Sequence, residues 1–243
     1  MPAPQAILLD IEGTISSLPH VVTTHYPYTR RHIADYLAAH EDELAVRTAL
    51  EETQALAGPG VAPLDALYRW IDEDAKAPPL KLLQGLVWVQ GYETGELVGH
   101  IYPDALEALR RWGEEGLPAH IFSSGSVQCQ VQFFQHCPEG DLRSLFDRHF
   151  DTRIGAKVDP NSYLAIAAAL DLPAGDILFF SDNPRELEAA SSVGVAVVQV
   201  LREGAQADGR FRAIRSFARV RREAGGVTLA VGMRSTRAQT LKP

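Results

Sequence analysis

The sequence predicts an α/β fold, a doubly wound and mainly parallel sheet core that carries an inserted all-helical cap. Three observations predict it: four short apolar segments run into small or polar residues, helical patterns lie between them, and the first two are far apart in the chain. A strand buried on both faces reads as a continuous apolar run, and parallel neighbours need helical crossovers.

The apolar segments are Ala6 to Leu9, Leu117 to Phe122, Ile177 to Phe180 and Val195 to Leu201. Tyr102 to Trp112, Val127 to Gln135, Ser162 to Leu170 and Arg185 to Val193 supply the crossovers. Ligands of such sheets sit beyond the carboxyl ends of the strands, so the residues after Leu9, Phe122 and Phe180 are where chemistry is to be sought.

More than 100 residues separate Leu9 from Leu117, whereas a βαβ unit needs only about 30. From Tyr26 to about Gln90 the pattern is helical, broken at Gly58-Pro59-Gly60 and Pro78-Pro79, and the stretch Gly91 to Gly99 holds three glycines. These signals predict a helical cap that leaves the core after Asp10 and returns near Gly99 through a glycine hinge. The expected organisation is a core of residues 1–18 and 99–224, a cap of residues 19–98, and a loosely ordered tail of residues 225–243. Caps over strand ends exclude water and select substrate; a helical decoration without a gate is the alternative.

A chain of 243 residues with 46% hydrophobic side chains can bury a large core. Its net charge of −8 opposes partnership with nucleic acid or anionic membranes and favours a small-molecule substrate. No apolar run approaches the roughly 20 residues of a membrane span, and Met1 to Asp10 lacks the pattern of a signal peptide. A cytoplasmic protein is therefore expected, and a monomer is taken as its state. Cys129 and Cys137 are the two cysteines, too few for a disulfide framework or a four-thiolate zinc site, and the eight histidines never take a metal-binding helical spacing.

Asp10-Ile11-Glu12-Gly13-Thr14 follows the first strand directly, so two carboxylates emerge together at the sheet edge. One can attack phosphorus to form an aspartyl-phosphate, while the other donates a proton or helps to hold a metal. Alone, the same pattern also suits a helix cap or a solvated turn. Ser123-Ser124-Gly125-Ser126 ends the second strand and opens a helix, where hydroxyls and amide groups favour an anion or simply cap the helix. Lys157 stands out because only Lys76, Lys81, Lys157 and Lys242 among the 23 basic residues are lysines. A compact ammonium suits a phosphate oxygen beside a carboxylate; a solvated surface lysine is the other reading.

Ser181-Asp182-Asn183 ends the third strand, with Glu186 one helical turn beyond Asp182. Asp182 can join Asp10 in holding Mg²⁺, which takes hard oxygen ligands and keeps several waters. Glu186 can anchor a metal water or Lys157, or serve as an ordinary first-turn acid. Each motif is ambiguous by itself, but the four occur in order at neighbouring strand ends and together supply nucleophile, phosphate donors, cation and metal ligand.

The order D-x-E-G-T, S-S-G-S, G-A-K, S-D resembles the haloacid dehalogenase superfamily. The glutamate at Glu12, the Ser-Ser-Gly-Ser loop, the run Phe150-Asp151-Thr152-Arg153-Ile154-Gly155-Ala156-Lys157 and the segment Gly91-Tyr92-Glu93-Thr94-Gly95-Glu96-Leu97 are similar to the enolase-phosphatases of methionine salvage. The likeness covers about Gln5 to Gly204. It implies a bifunctional enzyme that enolises 2,3-diketo-5-methylthiopentyl 1-phosphate and then releases phosphate to leave the acireductone. It also implies Mg²⁺ at Asp10, Glu12 and Asp182, substrate at Ser123, Ser124, Gly125 and Lys157, and catalytic roles for Asp10, Glu12 and Lys157. Ile15-Ser16-Ser17-Leu18-Pro19 and Asn183-Pro184 depart from the usual family pattern. A related phosphatase with another small phosphate ester is the nearest rival. A receiver-type signalling domain also combines Asp, Ser or Thr, Lys and Mg²⁺, but at on the order of 120 residues it leaves no place for a cap.

Overall fold

The computed structural model describes residues 4–223 and 226–229. Six parallel strands form one sheet in the order β3-β2-β1-β4-β5-β6. They are β1 (Ala6–Leu9), β2 (Ala119–Phe122), β3 (Arg148–Phe150), β4 (Ile177–Ser181), β5 (Ala196–Val200) and β6 (Ala213–Ile214). The central register sets Leu9 beside Ile121 of β2 and Phe180 of β4. Side chains alternate between faces: Ile7, Leu9, Ile121 and Phe180 join one buried cluster, while Leu8, Phe122 and Phe179 join the other with Tyr163 and Leu187.

The crossovers are α6 (Pro103–Glu114), α7 (Val127–Gln135), α8 (Pro160–Leu170) and α9 (Pro184–Ser192). Ala105, Leu106, Ala108, Leu109 and Trp112 give α6 a buried stripe at helical spacing. Proline opens α6, α8 and α9, where its fixed φ suits the helix and its missing N–H costs no bond. The departure Asn183-Pro184 thus has a structural cause: Asn183 Oδ1 accepts the Arg185 N–H at 3.0 Å as the cap of α9, and Pro184 is its first residue.

Between β1 and α6 lies a helical insertion. The chain enters it through the short α1 (Leu18–His20) and π-helical turns at Val21–His25, then builds α2 (Tyr26–Ala39), α3 (Leu44–Ala57), α4 (Pro63–Asp72) and α5 (Pro78–Glu93). Ile33, Leu37, Val46, Ala49, Leu67, Leu80, Leu83 and Val87 bury themselves among these helices and share one continuous cluster with the sheet face. Helix α5 lies against α7, and a Cβ at Gly85 would stand 2.8 Å from Cys129 Sγ, so the close approach depends on glycine.

Several sequence expectations need correction. The second strand starts at Ala119, not Leu117, and helix α5 continues through Glu93, so the first three residues of the expected glycine hinge are helix. Strands β3 and β6 were not legible: Arg-His-Phe and Ala-Ile are too short, and β3 too polar, to read as buried runs. Within the expected tail, Gly226–Leu229 (β8) pairs antiparallel with Val220–Glu223 (β7); residues 224–225 and 230–243 lie outside the described residues. Among the described residues no helix is long and apolar enough to cross a membrane.

Candidate active site

Strand order brings three separate chain segments to one edge. Because β1 lies between β2 and β4, the residues after Leu9, Phe122 and Phe180 emerge side by side. Asp10, only 4% exposed, accepts a hydrogen bond from Thr14 Oγ1 at 3.0 Å on Oδ2 and pairs with Lys157 Nζ through Oδ1. The turn beyond it is tight: the amides of Thr14, Ile15 and Ser16 all donate to the Ile11 carbonyl. Gly13 makes this possible with φ of +77°, and a Cβ there would stand 2.8 Å from Asp182 Cγ.

Lys157 reaches Asp10 from the loop before α8. Tyr163 Oη donates to the Lys157 carbonyl at 2.7 Å and Ser162 Oγ to the Ala156 carbonyl at 2.7 Å, which fix the backbone from which the side chain projects. Its ammonium lies 2.8 Å from Glu186 Oε2 as well. Burial works against the charge, but Asp10 and Glu186 hold the Lys157 pKa above its ordinary value. Glu186 is itself fixed by Ser181 Oγ at 2.9 Å and Asn183 Nδ2 at 3.2 Å. The structure therefore brings Glu186 to Lys157.

Asp182 sits at the end of β4, its amide donating to Thr14 Oγ1 at 3.1 Å. Burial first, then the charges of Asp10 and Glu186, push its carboxyl up to about 7. Burial and the Asp10 charge raise Glu12 likewise, and Glu12 Oε2 accepts from Ser123 Oγ at 3.4 Å. Ser123 is fully buried and its Oγ also receives the Gly125 amide at 3.2 Å, while Ser124 is exposed. The loop is braced from behind: Gln130 Nε2 donates to the Gly125 and Phe150 carbonyls at 2.8 and 2.9 Å, and Asp151 Oδ2 receives the Val127 amide at 3.0 Å.

Asp10 and Glu186 thus pair with the Lys157 ammonium, and Glu12 and Asp182 stand beside Asp10, their carboxyls raised first by burial and then by the Asp10 charge. These acids all offer hard oxygens, the donor type of a magnesium site. Among the described residues no three acidic, imidazole or thiol groups converge into a finished ligand cage.

Sequence reasoning missed Thr14, Ser181, Gln130 and Lys81. Thr14 and Ser181 lie inside motifs already singled out. Lys81 Nζ reaches from α5 to the Ser124 carbonyl at 2.9 Å. Its scarcity as a lysine was the available signal.

The fold and this edge define a hydrolase: the chain belongs to the haloacid dehalogenase-like hydrolases, whose sequence model matches residues 4–194. Enolase-phosphatase E1 of Bradyrhizobium sp. is 51% identical to it over 89% of this chain and 94% of its own length. Enolase-phosphatase E1 of Aquifex aeolicus is 43% identical over 88% and 97%. Within the hydrolases, these relatives place the chain among the enolase-phosphatases. The crystal structure of UTR4 protein from Saccharomyces cerevisiae is similar with a TM-score of 0.71 and 31% identity, covering 88% of this chain and 98% of that one. CbbY from Rhodobacter sphaeroides, with a TM-score of 0.57 and 20% identity over 88% and 95%, shares the fold.

Proposed function

We propose that the chain enolises 2,3-diketo-5-methylthiopentyl 1-phosphate and then hydrolyses its phosphate ester to acireductone and phosphate, in methionine salvage. The observation that carries this reading is the Asp10 carboxylate at the end of β1, held between Thr14 and a Lys157 ammonium that Glu186 anchors. A carboxylate fixed at both oxygens has little rotational freedom to lose when it attacks phosphorus in line.

In the phosphatase half-reaction an Asp10 oxygen bonds to phosphorus as the bond to the ester oxygen breaks. Lys157 offsets charge on the phosphoryl oxygens, and Ser123, Ser124 and Gly125 donate to them. Glu12, held beside Asp10 by the Ser123 hydroxyl, is assigned the delivery of a proton to the leaving oxygen. Water then attacks the aspartyl-phosphate, returning Asp10 and releasing phosphate. For the enolisation Glu12 is the group assigned to take up the proton. Mg²⁺ is assigned to Asp10, Glu12 and Asp182, where it would neutralise phosphoryl oxygens and polarise the diketone.

The helical insertion is read as a cap, with residues 19–98 as its extent. The enzyme is placed in the cytoplasm as a monomer acting on a small molecule, with neither nucleic acid nor membrane as partner, in keeping with the net charge of −8. The deciding experiment follows the diketone phosphate by ultraviolet absorbance while released phosphate is assayed. Coupled loss of diketone and appearance of phosphate is expected. Turnover of simple phosphate esters without the diketone would instead identify a related phosphatase.

A further inference from the structure

Lys81 Nζ, on helix α5 of the insertion, lies 2.9 Å from the Ser124 carbonyl at the strand edge. Three features mark this contact. Lys81 stands in the first turn of α5, which begins at Pro78 and carries no acid there. The positive end of the helix dipole disfavours a cation at that place, so local helix energetics do not account for it.

The second feature is charge compensation. Lys76 pairs with Asp74, and Lys157 with Asp10 and Glu186, but among the described residues no ion pair includes Lys81. It is half-buried, and burial followed by the Lys76 charge lowers its pKa, against the opposing pull of Glu12 and Asp151. An ammonium carries three donors, and here the partner is a neutral carbonyl. The third feature is rigidity. Leu80 and Leu83 on either side are buried, and Gly85 seats the helix on α7 beside Cys129. The lysine is thus held over the very loop whose serines face the strand edge.

We propose that Lys81 is a phosphate-binding residue of the site: with substrate present, its ammonium exchanges the Ser124 carbonyl for a non-bridging phosphate oxygen and ties α5 to the bound phosphoryl group. The assignment rests on the phosphohydrolase reading of that edge. A charge-assisted hydrogen bond to a phosphate is stronger than one to a neutral carbonyl, so the exchange is favourable. It also gives the insertion a direct sense of whether the phosphate loop is filled.

The test is calorimetric titration of the whole protein with inorganic phosphate in the presence of Mg²⁺, comparing wild type with Lys81→Met and Lys81→Gln. Lys81→Gln can still donate to the Ser124 carbonyl but lacks the charge, so it stands in if Lys81→Met does not fold. Both are expected to bind phosphate roughly 10- to 100-fold more weakly, with KM for a phosphate ester rising more than kcat falls. A lysine that merely latches helix to loop would lower the melting temperature of Lys81→Met and leave phosphate affinity unchanged. That result overturns the proposal, as does wild-type protein that binds no phosphate. Failure of wild type to release phosphate from either the diketone phosphate or simple esters would count against the phosphohydrolase reading instead, and the phosphate titration would still decide Lys81.

Discussion

Lys157 Nζ and Glu186 Oε2 stand 2.8 Å apart, and the same ammonium also bonds Asp10. One tetrahedral cation therefore links a carboxylate after β1 to another on α9. Replacement of Lys157 by arginine retains charge but forces a planar fork into this space, and displacement of reacting groups by about 1 Å costs roughly 100-fold in rate. Lys157→Arg is expected to be nearly as damaging as Lys157→Ala. The measurement is phosphate release at saturating Mg²⁺, with folding checked by circular dichroism. An arginine variant near the wild-type rate would mean that charge alone is needed.

Asp10→Asn removes the attacking carboxylate and weakens the charge balance around Lys157. Phosphate release should fall by several orders of magnitude. Phosphate assay of the purified variant gives the answer, and activity within about tenfold of wild type would take the nucleophile role from Asp10.

Metal and proton compete for the same acids. A carboxyl raised on folding binds more protons in the native chain than in the unfolded one, so its contribution to stability declines as pH climbs from the ordinary carboxylate range through about 7, the value of Asp182. Glu12 and Glu186 act in the same direction. Added Mg²⁺ should therefore raise the melting temperature more at about pH 8.5 than at about pH 5.5, where protons hold the ligand oxygens. Chelator should stop turnover and Mg²⁺ restore it, while Ca²⁺, with longer bonds and more ligands, restores little. An equal thermal shift at both pH values, or full activity in chelator, contradicts the assignment.

Gly13→Ala places a Cβ against Asp182 at a backbone φ of +77°. Strain of about 1–3 kcal/mol is expected, together with loss of activity as Asp182 is displaced. Thermal denaturation and the phosphate assay test the two effects separately; a variant with normal melting and normal rate would show that the turn can relax.

Much of the fold was legible because burial on both sheet faces leaves unbroken apolar runs. Ala6–Leu9 and Ile177–Ser181 announced themselves in this way, and Val127–Gln135 was delimited to the residue. Arg148–Phe150 did not, since an edge strand of three residues needs no apolar run. Residue types after the strands also spoke for themselves: Asp10, Glu12, Ser123 and Asp182 follow strand ends, where the chain must turn outward.

The sequence by itself determined which groups arrive at the strand ends, because strand length and helix spacing are local properties. Tertiary structure alone decided which of them touch. Glu186 bonds Lys157 because α8 packs against α9, Ser123 meets Glu12 because β2 lies beside β1, and Lys81 meets Ser124 because α5 seats on α7. Each pair is separated by dozens of residues or more, and nothing in local propensity encodes such a meeting. Strand order and helix packing do, through the burial of a shared core.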